Sequence, residues 1–175
     1  VDVFSKQREE NIELKSQIKD LGFKGFSLTT KKLYFIDAKL NRSKIKQIAQ
    51  TLLIDPITEQ FQIQQGIFDK KPAYSEVMII YHPGVFDSAA TSLKKAIDDL
   101  SFKVDAVHTA NIYKFDGLCK KSINYLGPKV LYNPIIKRVA DFNILKSIKS
   151  LSQIAACEYK FKLKTIDILD ASQNK

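Results

Sequence analysis

Apolar residues recur along this chain at two different spacings, and the alternation of the two predicts its elements. Runs of alternating or continuous apolar residues, rich in β-branched and aromatic types, predict strands at residues 1–4, 26–37, 57–63, 76–81, 104–116 and 135–142. Apolar residues spaced by three and four predict helices between them, as at Ile45, Ile48 and Leu52. The first strand is short and is expected at an edge. The pattern predicts a mixed α/β (α+β) fold.

One stretch of the pattern occurs twice. Three residues of the first copy recur 79 residues later: Thr30, Tyr34 and Asp37 as Thr109, Tyr113 and Asp116. After one deletion, Asp55-Pro56 recurs 78 residues later as Asn133-Pro134. A repeat of small units that cannot bury their own cores predicts that each unit completes the other. We expect a pseudo-dimer of two tandem β-α-β-α-β units, with mainly antiparallel sheets, central strands 26–37 and 104–116, and helices on the outer faces.

The same pattern sets the expected boundaries. Unit 1 covers residues 1–63, a linker covers residues 64–75 with Gly66 and Pro72, and unit 2 covers residues 76–142. No third copy fits residues 143–175, where Ile144, Ile148 and Leu151 are followed by alternating Tyr159, Phe161 and Leu163. We expect this last segment to be a docking tail or the boundary of a fragment.

Several residues are candidates for structural or interface roles. Asp87 stands where the N-cap of a helix belongs. Pro56 disfavours helix at the residue before it and should end the second helix of unit 1, and Pro134 matches it in unit 2. Gly127-Pro128 should also kink or shorten the second helix of unit 2. The paired central strands supply the remaining candidates, which we expect in the core or at an interface: Tyr34, Ile36, Tyr113 and Phe115.

Composition changes this picture little. The net charge is +9, but only three of 28 basic residues are arginine, the side chain best suited to phosphates and guanine edges. The lysines are scattered through helical segments, so we interpret the charge as a compositional bias and expect no specific nucleic-acid partner.

Several features predict where the chain resides. It has no run of about 18 apolar residues and no signal-peptide pattern at its N-terminus. Cys119 and Cys157 lack metal or redox spacing. We therefore expect a cytoplasmic chain with two reduced structural thiols and no membrane partner.

No motif predicts catalysis, a cofactor or a metal. His82 and His108 lie 26 residues apart without acidic or cysteine companions at metal spacing, so a turn histidine and a strand histidine are expected. Neither G-x-G-x-x-G nor a P-loop occurs, and the chain has only six glycines. Catalytic, cofactor-binding and metal-binding residues are therefore predicted to be none.

Four short phrases carry a resemblance to a known family. Residues 81–87, YHPGVFD, are similar to a family pattern Y-K-P-G-V-x-D, and residues 108–113, HTANIY, resemble V-R-T-x-x-x-Y. Residues 53–57 and 131–135, LIDPI and LYNPI, resemble L-L-x-D/N-P-V-I, and residues 165–172 resemble a hydrophobic lead-in to a linker. By these phrases the chain resembles the PurS-like (small-subunit) region of phosphoribosylformylglycinamidine synthase (FGAM synthase), with two units fused. Unit 1 departs from the family in lacking the Pro-Gly turn, and unit 2 has Ser101 where glycine is usual.

The resemblance implies a non-catalytic scaffold. It would bridge the synthetase and the glutaminase and support ammonia transfer in purine biosynthesis, when FGAR is converted to FGAM with ATP and glutamine. ATP and Mg²⁺ would then belong to the catalytic region, so the chain would be part of a C–N ligase without activity of its own. Residues 143–175 would begin the linker to a missing synthetase region. A homo-oligomer is also compatible with this role.

Two functions of other classes stay open. An RNA-binding sheet module would stack bases on Tyr113 and Phe115 across an open face. A paired regulatory domain of the ACT type, which also duplicates a small α/β unit, would bind a small molecule at the interface between its units.

Overall fold

The elements alternate as the apolar pattern predicts. A computed structural model of the chain describes residues 1–5, 11–64 and 75–141. Six strands are present in this part: β1 Asp2–Ser5, β2 Ser27–Asp37, β3 Glu59–Gln62, β4 Glu76–Tyr81, β5 Ala106–Asp116 and β6 Lys137–Val139. Four helices lie between them: α1 Ile12–Asp20, α2 Arg42–Ile48, α3 Ser88–Asp99 and α4 Lys120–Leu126. The predicted tail, residues 143–175, and most of the predicted linker lie outside the described residues.

All six strands belong to one antiparallel sheet, rather than to one sheet for each unit. The strand order is β3-β1-β2-β5-β4-β6. The prediction that β2 and β5 are central is confirmed. The prediction of an edge strand at the start of the chain is wrong, because β1 pairs with β2 on one side and with β3 on the other. The described edges are β3 and β6.

The two long central strands join the halves of the chain. Each has 11 residues, and every one of them is paired, from Ser27 opposite Asp116 to Asp37 opposite Ala106. The repeated residues meet crosswise, because Thr30 lies opposite Tyr113 and Tyr34 lies opposite Thr109. The strands of the two halves follow in the same order outward from the β2–β5 pair: β2, β1 and β3 on one side, and β5, β4 and β6 on the other.

The helices pack on one face of this sheet, so the prediction of helices on separate outer faces needs correction. Alternation along the strands explains the difference. Leu28, Tyr34 and Ile36 of β2 point to the same face as Val107 and Phe115 of β5, and all of them contact helices. The residues between them, such as Leu33 and Ala110, point to the opposite face. A single sheet needs only one helical layer to cover one apolar face.

Each of the two cores under the helices combines both halves of the chain. The first core packs Ile48 and Leu53, which follow β2, against Leu93 and Ile97 of α3. The second packs Ile18 of α1 against Ile123 and Leu126 of α4. Because neither half contains a whole core, the expectation that each unit completes the other agrees with this packing.

The helix ends have the N-caps and turns that their local sequences indicate. Asn11, Asn41 and Asp87 are N-caps whose side chains accept backbone N–H groups of the first turn. After α1 the backbone turns at Gly22 with φ +90°, and after α3 it turns at Ser101 with φ 64°. Serine in this left-handed region costs about 1 kcal/mol, which explains why glycine is the usual residue there.

The expected difference between the two second helices is absent. Both α2 and α4 have seven residues and continue into a five-residue π-helical turn, Ala49–Leu53 and Gly127–Leu131. The α-helix α4 ends at Leu126, directly before Gly127-Pro128, so the predicted shortening of this helix is confirmed. The expectation that the first copy is regular is wrong, because α2 ends in the same way. Pro128 stands at the start of the turn, where a missing N–H is tolerated, and Gly127 leaves room for the Tyr132 ring.

Candidate functional site

Asp87 is the polar centre of the end of the sheet where β4 stops and α3 begins. Its Oδ1 accepts the Ala90 N–H at 2.9 Å and so caps α3. Its Oδ2 accepts the Thr109 N–H at 2.9 Å and the Thr109 hydroxyl at 2.8 Å. One carboxylate therefore ties a helix to the central strand β5. The predicted N-cap is confirmed, and the tie to Thr109 is a second role that its sequence position did not indicate.

A cavity of about 190 Å³ opens beside Asp87. It lies beyond the end of β4, where the turn of residues 82–86 passes over β5. Its lining combines apolar side chains with two imidazoles, one carboxylate and three hydroxyls. The residues that define its character are Phe35, Ile80, His82, Phe86, Asp87 and His108. This volume is below the roughly 300–1,000 Å³ that is typical of sites for drug-sized ligands.

The cavity brings together two histidines that sequence reasoning treated separately. His82 follows β4 and His108 lies in β5, and both line the cavity. The Nε2 of His82 is 3.0 Å from the Pro134 carbonyl oxygen, so Nε2 carries the proton and donates it. Adjacent antiparallel strands place the end of one beside the start of the next, and that signal could have paired these residues.

Metal-ligating side chains and the one described cysteine are further candidates for chemistry. Within residues 1–5, 11–64 and 75–141, no group of three or more His, Cys, Asp or Glu side chains could hold a metal ion. Cys119 is exposed at the N-cap position of α4, where the Ser122 hydroxyl at 3.2 Å lowers the pKa of its thiol. An exposed thiol packs against little, so a structural role for Cys119 does not agree with its position. Cys157 lies outside the described residues.

The central-strand candidates lie beneath the helices. Tyr34 and Ile36 are half-buried against the first core, and Tyr113 is half-buried against the second. Phe115 is fully buried, and its ring centroid lies 6.4 Å from that of Phe26. A base can stack only on an accessible ring, so the open-face role considered for Phe115 does not fit its position.

Pro56 and Pro134 lie in two equivalent exposed turns. The Asp55 side chain accepts the Ile57 N–H at 2.9 Å, and the Asn133 side chain accepts the Ile135 N–H at the same distance. Each turn leaves its isoleucine 82% exposed. The turns precede β3 and β6, so they display matched apolar side chains at the two edges of the sheet.

Burial also affects the phenols of the two matched tyrosines. It raises the pKa of Tyr113 above its ordinary value of 10.0. Burial, followed by the charge of Glu59, raises the pKa of Tyr34 in the same direction. A raised pKa means that the folded state holds the phenol proton more tightly than the unfolded state. The stability from these groups is therefore complete below pH 10 and is lost as the pH rises through the folded pKa.

Tyr113→Phe should remove part of this alkaline loss of stability. We expect the melting temperature of the variant to fall less steeply than that of the unaltered chain between roughly pH 9 and pH 11, because the ionising phenol is gone. Thermal unfolding at a series of pH values measures the effect. Tyr125→Phe is the control, since this ring is 51% exposed. Parallel curves for Tyr113→Phe and the unaltered chain would contradict the expectation.

No known protein family matches this chain, and no curated protein matches it either. Residues 1–5, 11–64 and 75–141 define its class by their fold: a mixed α/β protein with an open, six-stranded antiparallel sheet and four helices on one face. In the part that the structure describes, no helix is long and apolar enough to cross a membrane.

Proposed function

We propose that this chain is the scaffold region of a phosphoribosylformylglycinamidine synthase, built from two tandem PurS-like units. It holds the synthetase and the glutaminase together and supports ammonia transfer during the conversion of FGAR to FGAM in purine biosynthesis. ATP, Mg²⁺ and glutamine bind to the catalytic partners. One observation carries the proposal: the two halves of the chain match element by element about the β2–β5 pair.

The match extends to single hydrogen bonds. After α1 the Phe23 N–H donates to the Ile18 carbonyl at 3.4 Å, and after α3 the Phe102 N–H donates to the Ile97 carbonyl at 3.2 Å. The π-helical turns and the turns at Pro56 and Pro134 agree in the same way. Equivalent backbone bonds at equivalent sequence positions support descent of both halves from one unit, which is the organisation that the resemblance implies.

The distribution of exposed apolar residues suits a bridge. A protein that joins two partners needs two separate contact surfaces, and a matched pair of units offers two related ones. Ile57 and Ile135 lie beside opposite edge strands, and each is 82% exposed. Phe86, which is 72% exposed, adds apolar surface at the mouth of the cavity. We assign the two isoleucine turns as contact points for the catalytic partners.

Reconstitution with the synthetase and glutaminase chains of the same source tests the proposal. The chain should form a ternary complex with them in light scattering after size-exclusion chromatography, and glutamine-dependent formation of FGAM should require it. Ile57→Asp and Ile135→Asp should each weaken the complex by at least about tenfold, because a carboxylate would be buried at a contact. Ile12→Asp, at a side chain that is 81% exposed, is the matched control and should bind normally.

Other outcomes would exclude the scaffold role. A chain that keeps its circular dichroism spectrum but binds neither catalytic partner would contradict it. RNA binding that persists at physiological salt would favour a nucleic-acid module instead. A dose-dependent rise in melting temperature with an amino acid would favour a regulatory domain of the ACT type.

A further inference from the structure

The cavity at the end of β4 exists because two adjacent strands stop at different levels. The β4–β5 ladder ends at Ile80 opposite Ala110, whereas β5 begins at Ala106, so residues 106–109 extend beyond the ladder. The turn of residues 82–86 passes over this part of β5 and leads into α3. The space enclosed by the strand, the turn and the start of the helix is the cavity of about 190 Å³.

The turn that closes the cavity is held in place by three contacts. The His82 N–H donates to the Ile136 carbonyl at 2.9 Å, and the Val85 N–H donates to the His82 carbonyl at 3.1 Å. The Nε2 of His82 donates to the Pro134 carbonyl at 3.0 Å. Gly84 has φ +79°, which glycine adopts without strain. The walls are therefore largely fixed before any ligand binds, as is usual for small-molecule sites.

Several polar side chains of the wall have already given their protons to protein acceptors. The Thr109 hydroxyl donates to the Asp87 carboxylate at 2.8 Å, and the Thr91 hydroxyl donates to the Asp87 carbonyl at 3.0 Å. His82 donates through Nε2, which leaves its Nδ1 as an acceptor in the neutral ring. A hydroxyl has only one proton, so these side chains and the carboxylate can only accept further hydrogen bonds.

The apolar part of the wall suits one flat ring. Phe35, Ile80, Phe86 and Val107 contribute to it. An engineered apolar cavity of about 150 Å³ in another protein takes a benzene molecule. The space here, about 190 Å³, is therefore sufficient for one aromatic ring with a short substituent. A positive charge on that substituent would lie near the Asp87 carboxylate and the phenylalanine rings, and both attract cations.

We propose that this cavity binds a small aromatic amine, that is, a single ring that carries one ammonium group. The ring fills the apolar part of the cavity. The ammonium group donates to Nδ1 of His82 and to the hydroxyl oxygens of Thr91 and Thr109. An ammonium group has three donors and no acceptor, so it complements a wall whose polar groups accept. A ligand with a carboxylate would instead meet the like charge of Asp87.

Benzylamine is the probe that tests the proposal, and benzoate, with the same ring and the opposite charge, is its control. We follow the methyl signals of Ile80, Val85 and Val107 in two-dimensional ¹H–¹³C spectra of the full-length chain, at about pH 8, where imidazole is neutral. Benzylamine should shift these signals saturably. Benzoate should bind at least about tenfold more weakly, although the net charge of +9 attracts anions.

Substitutions on α3 locate the probe. Thr91 is exposed at the wall of the cavity, so Thr91→Phe places a ring in the space without disturbing the core, and it should weaken benzylamine binding by at least about tenfold. Ala89→Phe adds the same ring at an exposed position outside the lining and should leave binding unchanged. Thr91→Val keeps the shape of the side chain but removes one acceptor, and it should weaken binding about threefold to tenfold.

Three results would overturn the proposal: no saturable shift with benzylamine, benzoate binding as tightly as benzylamine, or binding that Thr91→Phe leaves unchanged. Circular dichroism checks that each variant folds, and Val85→Phe fills the same cavity from the turn if Thr91→Phe does not fold. The measurement uses the isolated chain and no catalytic partner. Its failure would therefore leave the proposed scaffold function untouched, and loss of the scaffold function would not remove this site.

Discussion

Phe115→Ala should lower the free energy of unfolding by about 3–5 kcal/mol. The side chain has no exposed surface, and it packs against Phe26 and beside its strand partner Leu28. Truncation removes the free energy gained by burying the ring, and it leaves a cavity that the paired central strands cannot close. Chemical denaturation followed by circular dichroism measures the change.

Phe86→Ala is the matched control, because the same truncation is made at a side chain that is 72% exposed. It should alter stability by no more than about 0.5 kcal/mol. Equal losses for the two variants would show that Phe115 is not a core residue. Phe115→Leu keeps most of the apolar volume and should cost less than Phe115→Ala.

Asp87→Ala should cost about 2–4 kcal/mol, the second largest expected effect. The substitution removes the cap of α3 and leaves the N–H and hydroxyl of Thr109 without their carboxylate acceptor. A buried or half-buried donor that loses its partner keeps its desolvation penalty, so the loss exceeds that of a cap alone.

Two further variants separate these contributions. Asn11→Ala removes only a cap, since the Asn11 side chain accepts the Leu14 N–H at 3.1 Å, and should cost about 1 kcal/mol. Thr109→Val removes one hydroxyl donor while keeping the shape of the side chain. If Asp87→Ala destabilises no more than Asn11→Ala does, the tie between α3 and β5 contributes nothing to stability.

The fold could be predicted where its causes are local. Asn41 and Asp87 cap helices because their side chains reach N–H groups three residues away, and alternation along residues 26–37 reports a strand whatever its partners are. Apolar residues on both faces of residues 26–37 indicate that β2 is central, and residues 104–116 match this strand in the second half. These features depend on a few neighbouring residues, so the sequence displays them directly.

Features that depend on distant pairing were not predictable in the same way. The insertion of β1 between β2 and β3 is decided by which strand edges remain free, and a four-residue strand does not encode its neighbours. Likewise, His82 and His108 share a cavity only because β4 and β5 pair in one register. For the candidate site, the cap role of Asp87 was visible in the sequence, but its bonds to Thr109 were not.

Each core combines residues of both halves of the chain, and this has a consequence during synthesis on the ribosome. The strand β2 is complete when residue 37 has been synthesised, but its partner β5 is complete only 79 residues later, at Asp116. At about 5–20 residues per second, this interval lasts roughly 4–16 s. Throughout that time one edge of β2 stays unpaired beside apolar residues that have no second half to pack on, and unpaired strand edges invite association with other chains. A chaperone would therefore matter most while only the first half of the chain has been synthesised.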